Sequence, residues 1–434
     1  MAPSPPNDFL AEQLLELALH YGATAAEVLQ SSSYARLAFF EANRLKQLDS
    51  SSAAGTALRV WVEGRPGLAV AYGSVDPKPI IEKAIAISAL NDPEPIDIVA
   101  GGSRRYPDMG QAVAVNQLID WGQDMINGIR AAYPDVICEV EVDCDVETTR
   151  ILNTQGLDWS YSDTTLSSYV SAEWVRGDDF LSIGDGQTQR DALDPKALTE
   201  QVLQRLTWAE GLAQVKSGRL PVIFTAKAAD MLWGTLQAAL SGKRVIERSS
   251  PWSGGLGEQM TAAAITLSQD PAAGPFSCPF DDEGMPTQRL VFIDQGVVKL
   301  FYCDRAVGRD LGGGSTGNGF RPGLGSYPTP SLYNMMIQPG DKSLAELIAQ
   351  VETGLLVDQI LGGGAGISGD FSVNVDLGYR IHQGQLAGRV KDTMIAGNVY
   401  AALKAGVELG NDADWNGSCY TPSVLVTGLS VTSG

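Results

Sequence analysis

The sequence predicts an α+β chain of several domains, in which two smaller α+β units precede a larger C-terminal domain of mixed β-sheets and helices. Three observations carry that reading. Segments of helical period and segments of strict alternation interleave along the chain. A Pro- and Gly-containing stretch with few large apolar residues separates the first two units. The 48 glycines, more than the usual share of roughly 7%, concentrate in the second half and predict tight turns there.

The expected boundaries are 1–92 for the first unit, 93–109 for a linker, 110–215 for the middle unit and 216–434 for the last. After a proline-rich start, Leu10, Leu14, Leu17, Ala18 and Tyr21 recur at helical spacing. Two short strand-like runs follow, Ala25–Gln30 and Ala35–Glu41. Ala57–Val62 and Leu68–Tyr72 flank Gly64, Pro66 and Gly67, a hairpin signal. Asp76-Pro77 predicts a helix through Leu90, with Asp at the N-cap and Pro in the first turn.

The middle unit opens with a helix from about Gln111 to Tyr133. From Cys138 to Glu147, Cys or Val alternates with Glu or Asp, which predicts a strand with one buried and one acidic face. Further strands are expected at Arg150–Asn153, Leu157–Tyr161, Ser167–Arg176 and Phe180–Asp185, and a helix from Pro195 to about Ala213. The last unit offers a strand (Leu220–Thr225), a helix (Ala226–Leu240), a Gly-punctuated β-rich region, a helix over about Ser343–Leu356 and a final strand, Ser423–Val431.

With 51 acidic against 31 basic residues the net charge is −20. A field of that sign repels phosphate backbones and anionic lipid surfaces, so neither a nucleic-acid nor a membrane partner is expected. The five cysteines show no C-x-x-C pair, which predicts buried thiols in a reducing compartment. The first basic residue is Arg36, and no apolar run approaches the roughly 18 residues of a spanning helix. A cytoplasmic protein without signal peptide or anchor is expected.

Candidate chemistry is sparse. His20 and His382 are the two histidines, too few for zinc chemistry of the H-E-x-x-H kind. A Ser-His or Cys-His pair built on His382 stays open, although no G-x-S-x-G motif accompanies it. Two glycine-rich loops, Gly312–Gly319 and Gly362–Gly366, lack the G-K-[ST] signature of a phosphate cradle. Close approach of backbone to an extended peptide, or simple turn geometry, fits them better. Ser315, Thr316, Gly317, Asn318 and Gly319 are therefore the candidate substrate contacts. Asp281, Asp282 and Glu283 precede Gly284 and Pro286, and a polar turn is expected.

Several of these segments carry a family resemblance. Gly369-Asp370-Phe371-Ser372, Gly378-Tyr379, Gly384, Val390-Lys391, Ile395 and Gly397-Asn398 resemble the C-terminal signature of the TldD/PmbA family. Phe280–Thr287, Ser315–Asn318 and Leu220–Phe224 match its blocks in order, and Gly55–Gly73 is similar to its first-domain hairpin. The family was formerly labelled a modulator of DNA gyrase. The resemblance implies a zinc-dependent peptidase system for unfolded peptides and small proteins, built from two paralogous subunits.

The metal-bearing TldD-type subunit carries H-E-x-x-x-H on the helix after the Leu220–Phe224-like strand, with a Cys near its C-terminus as third ligand. Aligned on Leu240-Ser241-Gly242, this chain has Trp233 and Ala238 at the two His positions and Gly234 at the Glu position. The resemblance therefore implies a PmbA/TldE-like branch with no catalytic residue and no metal of its own, the zinc being held by a TldD-type partner. Cys419 has no firm counterpart. Three function readings follow. One is a non-catalytic partner that shapes the substrate channel of a heterodimer. Another is a free-standing, homodimeric peptide-binding or regulatory protein. The third is a hydrolase using His382 with an unrecognised nucleophile.

Overall fold

The structure is a computed structural model that describes residues 8–434, and the counts below are of those residues. The proline-rich start lies, but for Asp8, outside them. Helix α1 (Asp8–His20) buries Leu10, Leu14 and Ala18 on one face, as their spacing requires. It rests on a long hairpin of β1 (Ala25–Glu41) and β2 (Arg44–Val62). The hairpin turns at Ala42-Asn43, where φ is 49° and 67°, the left-handed pair of a two-residue turn. Asn43 also accepts the Cys138 N–H on its side-chain oxygen at 2.7 Å, which docks the hairpin tip on the next unit.

β3 (Arg65–Tyr72) completes the first unit's strands, and α2 (Pro77–Ser88) covers them. Asp76 caps α2 by accepting from the Lys78 N–H at 3.0 Å, as the Asp-Pro pair predicts. Gly67 permits the packing: a Cβ there would lie 2.0 Å from the Ala84 carbonyl oxygen.

A short strand β4 (Ser103–Arg105) ends the connecting segment. After α3 (Val115–Ala132) come β5 (Ile137–Asn153), β6 (Asp158–Arg176), β7 (Asp179–Gln189) and α4 (Pro195–Trp208). The first two units are not separate sheets. β1 pairs with β5 from Glu27–Asn153 to Phe40–Val140, giving a seven-stranded sheet in the order β3-β2-β1-β5-β6-β4, with β7 also on β6. Helices α1 and α2 cover one end of it, α3 and α4 the other. The acidic alternation is realised: Cys138, Val140, Val142 and Cys144 are buried, and Glu139 and Glu141 are exposed. β1 runs unbroken through Ser31–Ser33, because pairing on both sides replaces the missing apolar signal.

The last unit begins with β8 (Gly218–Phe224) and α5 (Ala226–Leu240). β8 lies between strands 353–361 and 424–433, and the path through 393–398 and 370–382 returns to 353–361. These five strands close into a ring, which removes the exposed edges of an open sheet. The helix expected over Ser343–Leu356 is shorter, Leu344–Ala349, since Thr353–Leu361 is needed as a ring strand. A second, six-stranded sheet contains strands 267–269, 290–294, 335–337 and 419–421. α5 is clamped between ring and sheet. Leu232, Trp233 and Leu236 share one core with Val222, Phe224 and Val357 of the ring and Ile265, Phe292 and Met335 from the sheet side.

Candidate functional site

Strand β8 delivers the chain to Thr225, and α5 then runs through the densest part of the core. At Ser241 the backbone leaves the helix (φ −66°, ψ 117°) and restarts as the short helix Gly242–Ile246. A groove of about 510 Å³ lies along this break. Gly234 and Ala238 open onto it, with Gln237, Ser241, Lys243, Arg244 and Tyr302 around them. A Cβ at Gly234 would meet nothing within 4 Å, so the groove wall is bare backbone there. Tyr302 closes the floor: its hydroxyl donates to the Gln237 carbonyl at 3.0 Å, and burial pushes its pKa up to about 12. A phenol so held is a hydrogen-bond donor at neutral pH and not a base.

Trp233 points the other way. It is fully buried, and its indole N–H donates to Thr421 Oγ1 at 2.6 Å. Thr421 lies on strand 419–421, two residues beyond Cys419, so both side chains share one strand face. Burial, and then the nearby charge of Asp230, pushes the Cys419 thiol up to about 12. It is therefore protonated at neutral pH and no reactive thiolate. Of the three motif positions, the structure brings Gly234 and Ala238 to the groove and sends Trp233 into the core. None carries a ligand atom. Among the described residues, no three His, Cys, Asp or Glu side chains converge as a metal site. The donor set does not fit a catalytic zinc, and no step is routed through one.

The loop Gly312–Gly319 has an interior role that departs from the expected substrate contact. Gly312–Gly314 are exposed and Ser315 is half-buried, but Thr316, Gly317, Asn318 and Gly319 are buried. Thr316 Oγ1 accepts from the Cys303 N–H at 2.7 Å, and Asn318 Nδ2 donates to Gln269 Oε1 at 2.7 Å and to the Ser331 carbonyl at 2.8 Å. Ser315 Oγ accepts from the Gly317 N–H at 3.1 Å. The polar groups of Thr316 and Asn318 are thus engaged inside the protein, and Gly317 and Gly319 are buried beside them. The glycines answer crowding: a Cβ on Gly319 would lie 2.3 Å from Glu283 Oε2.

The polar turn at 281–283 is a turn, yet it faces inward. Asp281 accepts from the N–H groups of Glu283, Met285 and Gly319, Asp282 from that of Arg321 and Glu283 from that of Arg305. Beside them Glu27 of β1 lies 3.1 Å from Arg59 and 3.4 Å from Arg321, all buried or nearly so. Sequence reasoning missed this junction, since three carboxylates before Gly and Pro look the same whether they face water or backbone donors. His382 is exposed, and among the described residues its ring joins no hydrogen bond or ion pair. All five cysteines are buried and free.

The class is set by proteins that share this fold. TldE from Thermococcus kodakarensis superposes with a TM-score of 0.88 at 25% identity, over 98% of this chain and all of that one. A Thermotoga maritima structure described as a candidate modulator of a DNA gyrase gives 0.86 at 26% identity, over 98% of this chain and 100% of that one. In sequence, the metalloprotease PmbA of Escherichia coli O157:H7 is 27% identical over 287 residues, 64% of this chain and 61% of that protein. The alignment thus spans less than two thirds of that relative's length. The family profile described as the PmbA/TldA metallopeptidase C-terminal domain matches residues 217–433. The chain belongs to the PmbA/TldD family. Among the described residues no helix is long and apolar enough to cross a membrane.

Proposed function

We propose that this chain is the PmbA/TldE-like, non-catalytic subunit of a zinc metallopeptidase system for unfolded peptides and small proteins. In that role it pairs with a TldD-type subunit, which holds the zinc, and shapes the channel through which peptide reaches it. The observation that carries the reading is the helix α5: Trp233 is committed to Thr421, and Gly234 and Ala238 offer a bare groove wall in place of ligands. The groove beside them sets that bare wall against the polar and charged side chains of Gln237, Lys243, Arg244 and Glu247, which offer hydrogen bonds and charge to an extended peptide.

The test is to purify the chain alone and mixed with a TldD-type subunit, then measure zinc by elemental analysis and cleavage of an unfolded protein. Zinc and cleavage are expected only in the mixture, with co-elution of the two chains. Stoichiometric zinc retained through chelation by the lone chain would refute the reading. No co-elution, with a homodimer that binds peptide, would instead establish the free-standing binding protein.

A further inference from the structure

The groove along α5 differs in charge from the rest of this acidic chain. Lys243 and Arg244 line it and are exposed, and among the described residues Glu247 is the single acid on its walls. With 51 acidic residues against 31 basic ones, a cation here has many acids to pair with. Arg59, Arg305, Arg321 and Arg389 each sit in an ion pair with a carboxylate of the chain. The side chains of Lys243 and Arg244 form no ion pair and no hydrogen bond. Glu247, one helical turn beyond Lys243, is at a spacing where such pairs commonly form, and it too is unpaired.

The place of these cations in the groove sets them apart from ordinary surface charges. Burial raises the Tyr302 pKa, and the Arg244 charge works against that, as it does at Tyr400. The field of the guanidinium thus reaches the groove floor that Tyr302 closes. On the facing wall no Cβ stands at Gly234, where one would meet nothing within 4 Å, so a ligand's backbone can approach the helix closely. Gln237, Thr329 and Ser331 add neutral hydrogen-bonding groups. The volume of about 510 Å³ lies within the span of roughly 300–1,000 Å³ that holds small organic ligands or a few residues of peptide.

Two cations against one acid leave the groove with a single excess positive charge, which one carboxylate balances. A phosphate carries more charge than that, and a nucleic acid would bring its whole backbone into the field of a chain of net charge −20. We infer that the α5 groove binds an extended peptide by a carboxylate held between Lys243 and Arg244. A guanidinium suits that task, since its planar fork matches the two carboxylate oxygens. The carboxylate can come from an acidic side chain or from the C-terminus of the peptide. The peptide as ligand rests on the function proposed above.

Isothermal titration of the full chain at low salt tests it with four probes. They are an acetylated, amidated alanine hexapeptide with one central glutamate, the same peptide with glutamine, an acetylated alanine hexapeptide with a free C-terminus, and inorganic phosphate. At least one carboxylate peptide should bind about fivefold tighter than the glutamine peptide, and less so at high salt. Tighter binding of the glutamate peptide assigns the site to side chains; tighter binding of the free C-terminus assigns it to chain ends. Arg244→Gln should lower affinity about fivefold and Lys243→Gln about threefold. Neither side chain holds a protein acceptor, so the melting temperature should stay. Glu247→Gln should tighten binding, a gain that a loosened fold would not give. The inference is overturned if the glutamine peptide binds as tightly as both carboxylate peptides, if no peptide binds, or if phosphate binds tighter than either carboxylate peptide. Unchanged affinity in both cation variants, or no gain in Glu247→Gln, would overturn it as well. All of this is read on the lone chain. Failure to pair with a TldD-type subunit leaves the carboxylate preference measurable, and absence of that preference leaves the pairing measurable, so the two failures are distinct.

Discussion

The indole nitrogen of Trp233 lies 2.6 Å from Thr421 Oγ1, joining the middle of α5 to the strand that carries Cys419. Both residues are fully buried. The bond closes off, with a tryptophan and a hydroxyl, the place where the family resemblance sets metal ligands. Trp233→Phe should cost about 1–2 kcal/mol through the lost hydrogen bond. Trp233→Ala should cost about 3–5 kcal/mol through the cavity. Denaturant midpoints of the two variants check the order; no loss in Trp233→Phe would mean that the bond is idle.

Replacing Gly317 and Gly319 by Val separates an interior loop from a substrate loop. A Cβ on Gly317 would sit 2.4 Å from the Pro286 carbonyl oxygen, and its φ of +73° disfavours any branched residue. The double variant should lose about 2–4 kcal/mol. Melting temperature should therefore fall together with any activity of the assembled complex. A variant that melts normally yet blocks peptide cleavage would restore the loop as a substrate contact.

The pH dependence of stability should carry the mark of Glu283. Burial, opposed by the Arg305 N–H and the charge of Arg59, raises its carboxyl from 4.5 to about 7. Burial also raises Asp281 and Asp282. A carboxyl with a raised folded pKa binds a proton more readily folded than unfolded. Its contribution therefore favours folding at low pH and is lost as pH rises from 4.5 to about 7. Glu283→Gln should flatten the stability profile across that window, by up to roughly 3 kcal/mol between its ends. A profile as steep as the parent's would place the titration elsewhere.

How much of this was legible in the sequence varies with what enforces each feature. The Asp76-Pro77 cap, the alternation from Cys138 to Glu147 and the helix from Ala226 to Leu240 were readable, because local spacing alone decides which face is buried. The length of β2 was not. Arg44–Ser52 is mostly polar and exposed, even at Leu45 and Leu48, and its backbone pairing with β1 makes it a strand. Nor was the union of the first two units, since the pairing of Glu27–Phe40 with Val140–Asn153 joins residues a hundred or more positions apart. In the candidate site, the substituted motif positions were visible as letters. That Trp233 turns inward while Gly234 turns outward needed the packing around α5. The buried Asp358, inside an apolar strand, left no local signal at all.

Cleavage of the connecting segment should not separate the first two units. Residues 93–102 carry no regular structure, and most are exposed or half-buried, so a protease should cut there early. The β1–β5 pairing and the Asn43–Cys138 contact lie elsewhere and survive the cut. Both fragments should co-elute in gel filtration and part only in denaturant. Fragments that separate in native buffer would show two independent domains.

The final prediction concerns the junction of the middle unit with the strand ring. Arg205 stands between Asp185 on β7 and Asp358 on strand 353–361, with 11% of its side chain exposed and Asp358 wholly buried. Burial opposes its charge, and the two carboxylates more than offset that, so its pKa is raised. Removing the cation leaves Asp358 buried beside Asp185 with the Lys227 ammonium as the remaining nearby positive charge. Arg205→Met keeps much of the side-chain stem and should still cost about 3–5 kcal/mol, the penalty of an uncompensated buried charge. The double variant Arg205→Met/Asp358→Asn removes charge from both sides and should recover a good part of that loss. The signature is in the sign of the coupling: the two single losses must sum to more than the double loss. Denaturant titration of the four proteins measures it. Additive losses would mean that Arg205 acts through packing of its stem alone, and that the contact between α4 and the ring owes nothing to charge.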